Sequence, residues 1–147
     1  MTFKPNTLVY LANSYSSKNP DKDRGKLESA QRRCLESYIG GALKKKYGFT
    51  FILPIAMSAS MADFCEFGTG FSEWEGDDYT LISKCDELWV LLSDGWKESV
   101  GVQAEIKFAH VQKIPVKYID KDTLEVCSGM CEKDHSKISE DLNDYKI

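Results

Sequence analysis

A carboxylate does useful chemistry when it is partly desolvated yet still able to ionise, and the stretch Ser99-Val-Gly-Val-Gln-Ala-Glu105 offers that setting. It is entered from the apolar run Leu88-Trp-Val-Leu-Leu92 through Ser93-Asp-Gly-Trp96. A buried strand that breaks at Asp94-Gly95 and restarts as a helix at Ser99 to Gly101 aims backbone N–H groups at one point, which suits an anion. Laid out at a helical period, Glu105 falls in the second turn. It shares the stripe of Val102, Ile106, Phe108 and Ala109 that should face a sheet. There a helix dipole would keep a desolvated acid ionised. The same place also suits an ordinary acid that merely complements the dipole, and spacing alone does not choose between the two.

The elements that must position this acid alternate along the chain. Leu8-Val-Tyr-Leu-Ala12 reads as a first, central strand ended by Asn13-Ser14, and a polar loop with Asn19-Pro20-Asp21 follows it. Lys26 to Tyr47 is helical in pattern, with Leu27, Ala30, Cys34, Tyr38 and Ala42 as its apolar stripe and Lys44-Lys45-Lys46 at its C-terminus. Phe49-Thr-Phe-Ile-Leu53 is a second strand stopped by Pro54. Ile55 to Gly76 has no decided structure; a connection of that length inside one domain is usually functional. Asp77 to Lys84 reads as a helix, Leu88 to Leu92 as a strand, Gly101 to Lys113 as a helix and Val116 to Ile119 as a strand. Strand and helix alternation predicts a single α/β domain of flavodoxin-like, Rossmann-type architecture, with a parallel sheet of about four to five strands and helices on both faces. If the first and third strands flank the reversal of strand order, Asn13 to Ser16, Ser58 and the Asp94 to Glu105 segment meet in one crevice.

The bulk composition fits this reading. A chain of 147 residues that is 42% apolar and 29% charged makes one soluble domain with a real core. A net charge of −4 argues against sequence-independent nucleic-acid binding, which needs a basic face. No apolar run approaches membrane-spanning length, and the N-terminus lacks a signal-peptide layout, so a cytoplasmic protein with no membrane partner is expected. Five cysteines, an odd number, read as reduced thiols. Cys127, Cys131 and His135 form a C-x3-C-x3-H run, but a fourth ligand is not apparent and the spacing is not that of a finger, so no metal site is assigned. From Lys121 to Ile147 the chain is a charged tail, with one short helix expected around Ile138 to Tyr145.

Tyr10-Leu-Ala-Asn-Ser-Tyr-Ser16, Pro54-Ile55 with Ser58, Asp78, Cys85-Asp86 and the Gly95 to Glu105 block occur in this order over about Leu8 to Asp120. Together they resemble the nucleoside 2-deoxyribosyltransferase superfamily, in particular a branch of uncharacterised, often phage-encoded domains. The resemblance implies a domain over 1–120 and a catalytic set of Glu105, Tyr10 and Asp78. Glu105 would attack the anomeric carbon to form a glycosyl-enzyme intermediate, Tyr10 would orient that carboxylate, and Asp78 would serve the departing base. Strand packing explains a buried Tyr10 equally well, and helix capping explains Asp77 or Asp78.

Ser99 stands where superfamily members acting on free nucleosides tend to carry an acid and those hydrolysing nucleoside 5′-monophosphates carry serine. A phosphate oxygen about 4 Å from a carboxylate would cost about 4 kcal/mol per unit charge at an effective dielectric near 20, whereas a serine at a helix N-terminus reverses the preference. The implied substrate is therefore a nucleotide. Its binding residues are Ser99, Gly101, Val102, Asn13, Ser14, Ser58 and Trp96, with Trp74 equally suited to packing. Proline is frequent in the family where Ser14 stands, so the loop after the first strand departs from the pattern. Arg24, Arg32 and Arg33 are available guanidiniums but read as solvated helix residues. The resemblance implies no metal or organic cofactor, a small-molecule nucleotide as partner, and a homodimer. Hydrolase and transferase both fit. Two other readings stay open: a non-catalytic binding protein for a nucleotide or nucleotide-derived signal, and an NAD-cleaving glycohydrolase.

Overall fold

A computed structural model describes residues 3–15, 19–65, 67–68 and 70–127. In chain order the elements are β1 (Leu8–Ala12), α1 (Lys22–Tyr47), β2 (Thr50–Ile52), α2 (Pro54–Cys65), α3 (Phe71–Ser83), β3 (Glu87–Leu91), α4 (Val100–Val111), β4 (Val116–Ile119) and β5 (Val126–Cys127). The strands form one sheet in the order β2-β1-β3-β4-β5. β1 lies parallel between β2 and β3, with Val9 opposite Phe51 on one side and Glu87 on the other. The order doubles back between β1 and β3, whose carboxyl ends therefore flank the crevice in which open α/β sheets hold ligands.

Alternation along the strands sends side chains to two cores. Val9, Leu11, Trp89, Leu91 and Ile119 meet Ile39 and Leu43 of α1 on one face. Tyr10, Ala12, Leu88 and Val90 meet Ile82 of α3 and Val102, Ile106 and Ala109 of α4 on the other. Each such large aliphatic side chain removed from water contributes about 1.5–3 kcal/mol, so both faces hold the sheet rigid under the site.

Four expectations change. The sheet is mixed, not parallel throughout, because β5 pairs antiparallel with β4, Ile119 opposite Val126. The few residues between those partners cannot hold a crossover helix and close instead as a hairpin, where Asp120 Oδ1 accepts from the amides of Asp122 (2.8 Å) and Thr123 (2.9 Å). Ordered structure thus runs past the boundary read at 120; the helix expected around Ile138, along with Cys131 and His135, lies outside the described residues.

Helix α1 is rotated from its expected setting. Leu27 (59% exposed), Ala30, Cys34 and Tyr38 (73% exposed) face outward, and Glu36, Ile39, Gly40 and Leu43 are buried. The chain carries two apolar stripes on this helix, and the one that wins contains an acid with partners and a glycine. A Cβ at Gly40 would stand 2.7 Å from Leu53 Cδ2, so glycine is what lets Leu53 lie against the helix. The undecided region resolves into two helices: Pro54 opens α2, where its missing N–H costs nothing, and α3 begins at Phe71, ahead of the expected Asp77.

Candidate functional site

Beyond the carboxyl ends of β1 and β3 lies a cleft of about 430 Å³, within the size range of small-ligand pockets. β1 turns Tyr10 toward α3 and α4, and its hydroxyl donates a hydrogen bond to Glu105 Oε2 on α4. Asp78 on α3 lines the same cleft, and its charge, with that of Glu105, acts on the Tyr10 phenol. The phenol thus lies beside two carboxyls from two different helices, hydrogen-bonded to one of them.

Glu105 is 5% exposed and Tyr10 is fully buried, which decides their electrostatics. Burial first, then the charge of Asp78, pushes Glu105 well above the usual carboxylate range, while the Tyr10 hydrogen bond pulls it back. The helix dipole expected to keep it ionised does not prevail: that field fades beyond the first turn, and Glu105 sits in the second. Burial likewise raises Asp78 to about 6, opposed by the nearby Tyr10 hydroxyl. Tyr10 is itself raised, by burial and then by Glu105 and Asp78, so it stays a neutral donor.

Ser99 is the N-cap of α4, its Oγ accepting from the Val102 amide at 3.2 Å. That leaves the hydroxyl proton and the amides of Val100 and Gly101 at the mouth of the helix, while the Val102 amide is spent on the cap. Gly95, with φ +83°, makes the turn that brings the chain from β3 into this segment. Gly101 is hemmed in: a Cβ there would stand 3.2 Å from the Phe71 ring.

The cleft wall contains Tyr10, Asp78, Glu105, Ser99, Gly101, Val102, Asn13, Ser14 and Ser58, so these sequence-derived candidates converge. Asn13 also braces the site, accepting from Ser93 Oγ (2.9 Å) and donating to the Arg32 carbonyl (3.3 Å). Trp96 is not in the wall; its ring packs on Tyr118 at 5.9 Å, below the cleft in the α4-side core. Trp74 does line the wall and donates to the Gly68 carbonyl (2.7 Å), so packing and lining coincide there. Asp86 serves the far end of the sheet, its carboxylate accepting from the Leu8 amide at 2.8 Å.

Several wall residues were not picked out from sequence. Arg32 lines the cleft, with Nη1 donating to the Tyr15 carbonyl (3.2 Å), whereas Arg33 turns to Ser60 and Asp63 of α2 and Arg24 is exposed. Phe71, Ile55 and Glu98 also contribute. Glu36, just behind the wall, is fully buried and carries no cationic partner among the described hydrogen bonds and ion pairs; its oxygens accept from the amides of Ile55 (3.4 Å) and Ala56 (2.9 Å). Burial raises it to about 7 despite those amides. An acid three residues before Ile39 and seven before Leu43 was a visible signal, hidden by the wrong phase of α1. No helix among the described residues is long and apolar enough to cross a membrane.

No curated protein matches the chain. A solved structure described as a conserved protein from Enterococcus faecalis V583 is similar at 20% identity and a TM-score of 0.57, over 95% of this chain and 76% of that one, a likeness of fold. Residues 7–121 match the family described as a domain of unknown function, DUF1937, and the chain belongs to that family.

Proposed function

We propose that the protein cleaves or transfers the N-glycosidic bond of a deoxynucleotide, with Glu105 as nucleophile on C1′ and a covalent glycosyl-enzyme intermediate. The observation that carries this reading is the buried hydrogen bond from Tyr10 to Glu105, with Asp78 in the wall of the same cleft and close enough for its charge to act on both. Two buried carboxyls whose charges act on each other do not ionise together easily, so the pair retains a proton near neutrality. The base that leaves needs a proton and the sugar needs a nucleophile, and such a pair supplies both. In this scheme the proton that burial leaves on Glu105 passes to Asp78 when the nucleotide binds, so that Glu105 attacks as the carboxylate and Asp78 protonates the base. The C1′–N bond breaks as the C1′–O bond to Glu105 forms, and water or a second base then takes the sugar.

The Ser99 hydroxyl and the amides of Val100 and Gly101 hold the 5′-phosphate, with Arg32 across the cleft adding a charge of the right sign. The reaction needs no cofactor, and the working unit is a homodimer in the cytoplasm.

The test is incubation with nucleosides, their monophosphates and NAD, followed by chromatography for free base. Release from deoxynucleoside monophosphates, faster than from nucleosides and abolished in Glu105→Gln, is the expected result. Binding without release would favour a nucleotide-binding protein, and release of nicotinamide from NAD alone would favour the glycohydrolase. Undiminished turnover in Glu105→Gln would overturn the nucleophile assignment. Light scattering of the purified protein reads the dimer.

A further inference from the structure

Glu36 is a carboxylate that the proposed reaction does not use, yet it is completely buried one helical turn after Arg32 and one turn before Gly40. Burying such a group costs several kcal/mol in general and persists only where the oxygens are well employed. Its employment is specific: the two oxygens reach across from α1 to the amides of Ile55 and Ala56 in the first turn of α2. That turn carries no acid of its own; Pro54 has no N–H and the Met57 N–H donates to the Leu53 carbonyl at 3.3 Å, so the Ile55 and Ala56 amides are the ones that need an outside acceptor. Pro54 and Ile55 of the same turn, with Ser58 at the start of the next, form one wall of the cleft. Further along, Arg33 fixes the helix body through Ser60 Oγ at 2.7 Å, so Glu36 is left to set the pose of its start.

We infer that Glu36 is a positioning residue for substrate, acting through the first turn of α2: while its oxygens hold the Ile55 and Ala56 amides, the Pro54, Ile55 and Ser58 wall keeps the shape that fits the ligand. The inference rests on the reading of the cleft as a nucleotide site. It assigns Glu36 to binding and not to the bond-breaking step, because the side chain touches the wall's backbone and neither Tyr10 nor Glu105 by hydrogen bond.

Glu36→Leu removes both acceptors at similar volume, and Glu36→Gln keeps one carbonyl acceptor. For the monophosphate turned over best, Glu36→Leu is expected to raise KM roughly tenfold with kcat within about twofold, and Glu36→Gln to restore most of the loss. Amide hydrogen exchange at Ile55 and Ala56 should quicken roughly tenfold or more in Glu36→Leu, ahead of the rest of α2. Unchanged KM and exchange would overturn the inference, as would a loss confined to kcat, which would mean that Glu36 acts on Glu105 through its field. Should Glu36→Leu not fold, Glu36→Asp, which keeps the charge but withdraws the oxygens, is read in the same way. If the wild-type protein turns over no nucleotide, the functional reading fails on its own; the exchange measurement still decides whether Glu36 holds the wall.

Discussion

Tyr10 and Glu105, 95 positions apart in the chain, meet through a buried hydrogen bond in which the phenol donates to the carboxylate. The bond spans the interior strand β1 and the helix that follows its neighbour β3, so it exists only when the α4 side of the sheet is packed. It is also the main influence drawing Glu105 back toward ionisation against burial and Asp78.

Tyr10→Phe should therefore keep the fold, since the ring still fills its place in the core, and lose turnover. A hydrogen bond to a charged acceptor contributes about 1.5–3 kcal/mol, which predicts a fall in kcat of roughly 10- to 100-fold. The pH at which activity appears should move upward, because the Glu105 carboxylate loses the partner that favours its charged form. A pH–rate profile of the variant checks both points.

Stability should decline as the solution becomes more alkaline through neutrality. Burial raises Glu36 from an ordinary 4.5 to about 7 and Asp78 from 3.8 to about 6. The folded chain thus binds more protons than the unfolded one between those limits, and its stability falls with rising pH across that window. The Glu36 share is fully present below about 4.5, is lost as pH passes through about 7, and amounts to roughly 3 kcal/mol. Thermal unfolding at pH 5 and pH 8 should show the higher Tm at pH 5, and Glu36→Gln should flatten the difference.

Removal of the Ser99 hydroxyl takes away both the α4 cap and a phosphate donor. Ser99→Ala should cost about 1 kcal/mol in urea unfolding. Under the proposed function it should also reduce kcat/KM for monophosphates more than for nucleosides; equal losses would leave Ser99 as a cap alone.

Gly95 occupies the left-handed region at φ +83°, where a side chain is strained, although a Cβ would meet Arg32 Nη2 only at an ordinary 3.7 Å. Gly95→Ala should therefore destabilise by about 1–2 kcal/mol through the backbone and not through a clash. A lowered Tm with Arg32→Ala unable to relieve it is the expected result.

Local pattern was enough to specify the four parallel strands and the strand-to-helix passage ending in Glu105. Continuous apolar runs at β1 and β3 have few alternatives to a doubly covered sheet, and an acid at helical spacing among Val102, Ile106 and Ala109 must point inward. What the sequence could not rank was competition between equals. Two apolar stripes run along α1, and the choice of Ile39 and Leu43 over Leu27 and Tyr38 depends on Gly40 admitting Leu53 and on Glu36 finding amides in another helix. The ionisation of Glu105 was likewise decided by tertiary structure, because the dipole that favours its charge is local while the burial and the Asp78 charge that oppose it come from packing. Periodicity along one chain fixes which way a side chain points. Only the assembled fold fixes what it meets there, and therefore whether it carries a charge.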